Sequence, residues 1–130
     1  MFAITLTQIT NPMINYHNKV FKTISNTPNG DTNEETVYFY KQKGNHITGE
    51  YKGGTIKRGY LDATMDNSGN LQMQYHHVNQ NNELLTGVCY SILEMTPENR
   101  MRIIENWQWT CKNYAKGQSI LEEIDPHSVI

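Results

Sequence analysis

Glu105, Trp107 and Trp109 recur every second residue in the run Met101 to Thr110, MRIIENWQWT, in step with Met101 and Ile103. An extended strand turns alternate side chains to one face, so this run sets a carboxylate and two indoles on a single surface. Such a face belongs in an interior, and an interior carboxylate needs a hydrogen-bonding partner, a counter-charge or a ligand. Arg58 and His77 stand in other alternating segments, TIKRGYLDATM and LQMQYHHVN. An arginine turned inward would take a carboxylate or phosphate through paired N–H bonds, and a histidine titrates near neutrality.

Nucleophilic and metal chemistry find little support. His76 and His77 are adjacent, so on a strand they point to opposite faces, and His17, His46 and His127 lie at no ligand spacing from them. The two cysteines, Cys89 and Cys111, form no closely spaced pair of the zinc-ribbon or redox kind and are expected as two reduced thiols. No catalytic residue and no metal ligand is assigned.

Strands must position these side chains. Segments rich in Thr, Val, Ile and Tyr alternate with turn sequences at Asn29-Gly30, Gly44-Asn45, Gly53-Gly54, Asn67 to Asn70, Gln80 to Asn82 and Pro97 to Asn99, at all-β spacing. The predicted strands are Val20 to Ser25, Glu35 to Gln42, His46 to Lys52, Thr55 to Asp66, Asn70 to Asn79, Glu83 to Met95, Met101 to Thr110 and Gly117 to Glu123. Eight short-linked strands make an antiparallel meander, which removes its two free edges by closing into an up-and-down barrel. A barrel of this size holds one small ligand or is filled by side chains, and a Greek-key sandwich is the competing architecture.

Tight turns give a register. A two-residue turn at Pro97-Glu98 opposes Tyr90 to Glu105, Val88 to Trp107 and Thr86 to Trp109, and the turn at Gln80-Asn81 sets Leu71 beside Tyr90 and Tyr75 beside Thr86. A Lys43-Gly44 turn pairs Tyr40 with Ile47 and Tyr38 with Gly49. A turn at Gly53-Gly54 brings Ile56, Arg58 and Tyr60 inward, in conflict with Leu61 and Ala63 unless the strand slips, and Gly59 is the expected bulge. The predicted ligand site is therefore an aromatic wall of Tyr38, Tyr40, Tyr51, Tyr75, Tyr90, Trp107 and Trp109, with Arg58, His77 and Glu105 as its polar groups. Arg58 either pairs with Glu105 or meets an anionic ligand. Cys89 takes the outward parity on this register, which excludes an internal Cys–His dyad. It also sets Cys89 and Cys111 too far apart for a disulfide.

Composition narrows the class. The 130-residue chain is one domain large enough for its own core, and its formal charge of -2 with scattered basic residues argues against nucleic acid or an anionic membrane surface as partner. No apolar stretch approaches the roughly 20 residues of a membrane span. The start, MFAITLTQIT, lacks a basic n-region and a long apolar run, so a cytoplasmic address is expected. Met13 opens a natural alternative start, which makes residues 1–12 an appended lead, 13–124 the barrel and 125–130 a tail.

The segments ETVYFYKQKGN, EYKGGTIKRG, QYHHVN, ELLTGVC, ENWQWT and SILEEI, in this order, resemble a family of small bacterial proteins labelled N-acetylglutamate synthase. The likeness spans Met13 to Ile124. That label implies transfer of an acetyl group from acetyl coenzyme A to glutamate. Enzymes of that kind are mixed α/β, with a Gly-rich turn opening a helix onto the pyrophosphate, whereas Gly53-Gly54 lies between two predicted strands. In pattern the chain is also similar to lipocalin and other calycin barrels. The expectation is a calycin-like barrel that binds a small, partly apolar, anionic molecule without catalysis or cofactor. The acetyltransferase using acetyl coenzyme A, and a filled structural barrel, are the alternatives.

Overall fold

The computed structural model describes residues 14–129, so the expected lead at residues 1–12 lies outside the described residues. Eight strands follow in order: β1 Val20–Asn26, β2 Val37–Lys43, β3 His46–Gly53, β4 Ile56–Met65, β5 Leu71–Asn79, β6 Leu84–Met95, β7 Met101–Trp109 and β8 Lys116–Ile124. Every predicted strand is present, with its ends within two residues of the sequence reading. Each strand pairs antiparallel with the next, and β8 returns to β1, Val20 against Ile124 and Thr23 against Leu121, so the sheet closes. Closure leaves no unpaired edge strand. A four-residue 3-10 turn, Pro126–Val129, follows β8.

One end of the barrel is filled. Phe21, Tyr40, Ile47, Leu71, Ile103 and Leu121 are wholly buried there, and Tyr16 lies across them with ring centroids 6.2 Å from Phe21 and 5.7 Å from Tyr40. The Tyr16 hydroxyl donates to the Gly69 carbonyl at 2.6 Å, which fixes the segment ahead of β1 onto the β4–β5 loop. That approach is open because Gly69 has φ +85° and no side chain; a Cβ there would meet Leu93 at 2.7 Å.

Two loops decide the register differently from the sequence reading. Between β6 and β7 the Thr96 N–H donates to Arg100 O, the Asn99 N–H donates to Thr96 O, and Asn99 sits at φ 64°. Between β5 and β6 the same arrangement recurs over Asn79 to Glu83, with Asn82 at φ 61°. Both are three-residue loops ending in a left-handed asparagine rather than two-residue turns. The extra residue on each side rotates β6 by one position. Ser91 therefore opposes Glu105, Cys89 opposes Trp107 and Gly87 opposes Trp109. Tyr90 opposes Asn106 and faces outward, 38% exposed, so it leaves the predicted site, while Cys89 enters the interior.

The predicted bulge in β4 exists, one step earlier than expected. Ile56 faces Asn79 and Arg58 faces Val78, so Lys57-Arg58 carries the extra residue. Both charged side chains then stay in water while Ile56 and Gly59 point inward. Arg58 is exposed, and neither the Arg58–Glu105 pair nor an inward-facing arginine is formed. The β2–β3 hairpin turns on Gly44-Asn45, which slides the pairing by two residues and keeps its parity: Tyr40 opposes Gly49 and Tyr38 opposes Tyr51.

Candidate ligand-binding site

The opposite end of the barrel is open, bounded by the β1–β2, β3–β4, β5–β6 and β7–β8 connections. It encloses about 420 Å³ of empty space including the mouth, of which about 40 Å³ admits the centres of water-sized molecules. That inner space holds about three waters.

Three aromatic–glycine pairs create it. Tyr51 opposes Gly59, Tyr75 opposes Gly87 and Trp107 opposes Gly117. A Cβ at each glycine would meet the paired ring at 2.3, 2.3 and 2.1 Å. Each ring lies back over the wall of the next strand, where any other residue would push it into the lumen. Tyr38 stacks on Tyr51 at 4.8 Å, and Trp109 stands 5.3 Å from Trp107 and 6.0 Å from Tyr75.

Glu105 lies deep in this aromatic lining, 6% exposed, and accepts a 2.9 Å hydrogen bond from the Ser119 hydroxyl through Oε1. No donor among the described residues reaches its other oxygen. Burial pushes its carboxyl up to about 7, with the Ser119 bond acting in the opposite direction. Cys89 is buried beside it, and burial raises the thiol well above its ordinary value, which favours the neutral form.

His77, 2% exposed, forms the rim with Asp31 and Tyr51. Its Nε2 lies 3.0 Å from Asp31 Oδ2 and its Nδ1 lies 2.8 Å from the Tyr51 hydroxyl. The His77 bond holds the Asp31 carboxyl below its usual range against partial burial, and Asn79 adds a 3.3 Å bond. An ionised Asp31 only accepts, so Nε2–H donates to it, and in the neutral ring Nδ1 accepts from Tyr51. Both polar atoms of the ring are thereby engaged, Nε2 with the β1–β2 loop and Nδ1 with β3. The Trp107 indole donates to Asn26 Oδ1 at 3.1 Å, the Trp109 indole donates to Asn29 O at 3.3 Å, and the Thr55 hydroxyl donates to Asp31 O. The loop is thus latched across the mouth by pocket side chains themselves.

Of the predicted site residues, Tyr38, Tyr51, Tyr75, His77, Glu105, Trp107 and Trp109 line the pocket. Tyr40 points inward but belongs to the filled end, and Tyr90 and Arg58 are outside. Sequence reasoning missed Asp31, Asn26 and Thr32, which sit in or beside a loop with no periodicity to read, and Ser119, a short side chain at inward parity. The glycines were readable: an isolated Gly inside a strand signals close approach of another group, and Gly59, Gly87 and Gly117 all receive rings. His76 faces outward against Tyr60, 5.5 Å between centroids, opposite to His77 as expected. Among the described residues no group of three His, Cys, Asp or Glu side chains could hold a metal ion.

A closed eight-stranded antiparallel barrel with an aromatic-lined pocket at one end is a calycin-like architecture. The Avidin-like protein family matches residues 14–124, and the chain belongs to that family. No curated protein and no solved structure shows a significant match to it. The N-acetylglutamate synthase likeness gains no support from the geometry. Among the described residues the only helical segment is the turn Pro126–Val129, which leaves no helix N-terminus to receive a coenzyme pyrophosphate.

Proposed function

We propose that the protein binds one small molecule at the open end of the barrel, without catalysis. The observation that carries this reading is the set of three aromatic–glycine pairs. Three strands give up a side chain so that Tyr51, Tyr75 and Trp107 lie against the wall, and the space they vacate is floored by Glu105 and roofed by the β1–β2 loop. A fold selected only for stability would fill that volume, since packed apolar atoms gain dispersion and transfer energy that an open pocket forgoes. Aromatic surface with a few converging polar groups suits a small organic ligand.

The polarity differs from the sequence expectation. An anionic ligand was expected because Arg58 would enter the interior; with Arg58 outside, the lining holds two carboxylates and no lysine or arginine. The ligand therefore offers hydrogen-bond donors to the pocket rather than a negative group.

Native mass spectrometry of freshly purified protein beside its denatured mass tests the reading. The expected result is an additional mass, lost on denaturation, that disappears in Gly87→Ala, where the new methyl group drives the Tyr75 ring into the pocket. Protein that carries no added mass and takes up none from a cell metabolite extract, with the tryptophan emission unchanged, would sink it.

A further inference from the structure

Resting on the small-ligand reading, we propose that the occupant presents a compact cationic nitrogen group, of the ammonium, amidinium or guanidinium class, and that Glu105 is the anchor that selects it. Glu105 is more than nine-tenths buried, yet its side chain has one protein partner, Ser119, and its second carboxylate oxygen faces the pocket with no donor among the described residues. An unpaired buried carboxylate is costly, and the costs are met by a proton or by a cation brought from outside.

Among the described residues the surroundings offer Glu105 no lysine or arginine. The titratable groups around Glu105 are Tyr16 ahead of β1, Tyr38 and Tyr40 from β2, Tyr51 from β3, and Cys89 from β6. From β5 come Tyr75 and His77, and from the β1–β2 loop Asp31. The phenols and the thiol are held neutral by burial, and His77 already spends its Nε2–H on Asp31. No lysine or arginine lines the space.

Shape and lining point the same way. The faces and edges of Trp107, Trp109, Tyr38 and Tyr75 surround the approach to Glu105. Aromatic rings attract a cation through their quadrupoles, most strongly where water is excluded. The inner space accommodates about three waters, which matches a guanidinium or amidinium head and not a bulky ring system. The rest of the ligand then lies toward the mouth, between Trp109 and the loop that Asp31 ties down, where the second carboxylate adds to the negative field. A neutral N–H donor would bond to Glu105 without offsetting its charge, and a carboxylate or phosphate would meet two negative groups.

Three near-isosteric probes separate these cases: benzamidinium, benzamide and benzoate, titrated at pH 8 against tryptophan emission and by calorimetry. Benzamidinium is expected to bind at least tenfold tighter than benzamide, with no binding of benzoate. Glu105→Gln should remove the tenfold preference of benzamidinium over benzamide, and Glu105→Asp should retain part of it. The inference is overturned if benzamide or benzoate matches benzamidinium, if the preference survives Glu105→Gln, or if none of the three binds. The wild-type ranking alone decides the outcome even where a variant folds poorly. A carried ligand in the native mass spectrum combined with no preference for the cation would remove this inference and leave the small-ligand reading standing. A silent panel together with no carried or extracted ligand would remove both.

Discussion

The two ends of the barrel use the same strands to opposite purposes. At the filled end Phe21, Tyr40, Ile47, Leu71, Ile103 and Leu121 meet in the lumen and Tyr16 caps them; at the open end glycines replace every second large residue and the rings retreat to the wall. Among the described residues the buried side chains of the filled end include no ionisable group other than tyrosines, whereas the open end concentrates Asp31, His77, Cys89 and Glu105. Close packing and open volume are therefore separated along the barrel axis. The end that holds the fold together is apolar and packed, so a carboxylate poorly suited to a core is tolerated at the other.

The largest expected effect tests the filled end. Phe21→Ala should cost about 3–5 kcal/mol in chemical denaturation, the range for deleting a large aromatic from a packed core. Loss of ligand binding at temperatures where the variant stays folded would break the separation of the two ends.

Glu105→Gln acts in the other direction and through pH. The folded-state carboxyl titrates near 7, above its ordinary value of 4.5, so the folded chain holds a proton that the unfolded chain releases. That contribution is fully present below the unfolded value, declines as pH rises, and is gone above about 7. Ligand-free wild type should therefore lose roughly 3 kcal/mol between pH 4 and pH 8 from this group, and Glu105→Gln should lose that slope. A parallel pair of stability–pH curves would show that Glu105 is not desolvated.

Gly87→Ala sharpens the comparison further, since its methyl group would sit 2.3 Å from the Tyr75 ring. An overpacking cost of about 1–3 kcal/mol is expected in thermal unfolding, with binding lost entirely, a ratio of effects that no substitution at the filled end should reproduce. Arg58→Ala gives the smallest change: within about 0.5 kcal/mol in stability, and no change in affinity for any ligand. A fall in affinity of tenfold or more would return Arg58 to the site and reinstate the anion reading.

The interior of β6 shows where sequence reading stops. At its centre the outward Val88, Tyr90 and Ile92 are more apolar than the inward Gly87, Cys89 and Ser91, and although Leu85 and Leu93 also face inward, hydrophobicity alone does not single out the inner face. The agreement of apolar faces across β5, β6 and β7 offered no correction. The two flanking loops each carry one extra residue, and the two errors cancel between β5 and β7 while rotating β6 alone. The central inward residues Gly87, Cys89 and Ser91 are small because Tyr75 and Trp107 from the flanking strands occupy the space beside them, a fact of packing and not of pattern. Asn82 and Asn99, each closing its loop in the left-handed conformation that asparagine tolerates, were the local signs.

Period-two alternation and turn chemistry by themselves determined the eight strands, the meander, and the shared face of Glu105, Trp107 and Trp109, because these are local consequences of backbone geometry. The tertiary structure decided which way β6 and Arg58 face, since one residue in a loop or bulge inverts a strand and only closure of the sheet fixes that count. It also decided that the pocket gathers two carboxylates with no lysine or arginine among its described lining. Asp31 arrives from a loop remote in sequence, and the bulge at Lys57-Arg58 turns Arg58, the expected partner of Glu105, out to water.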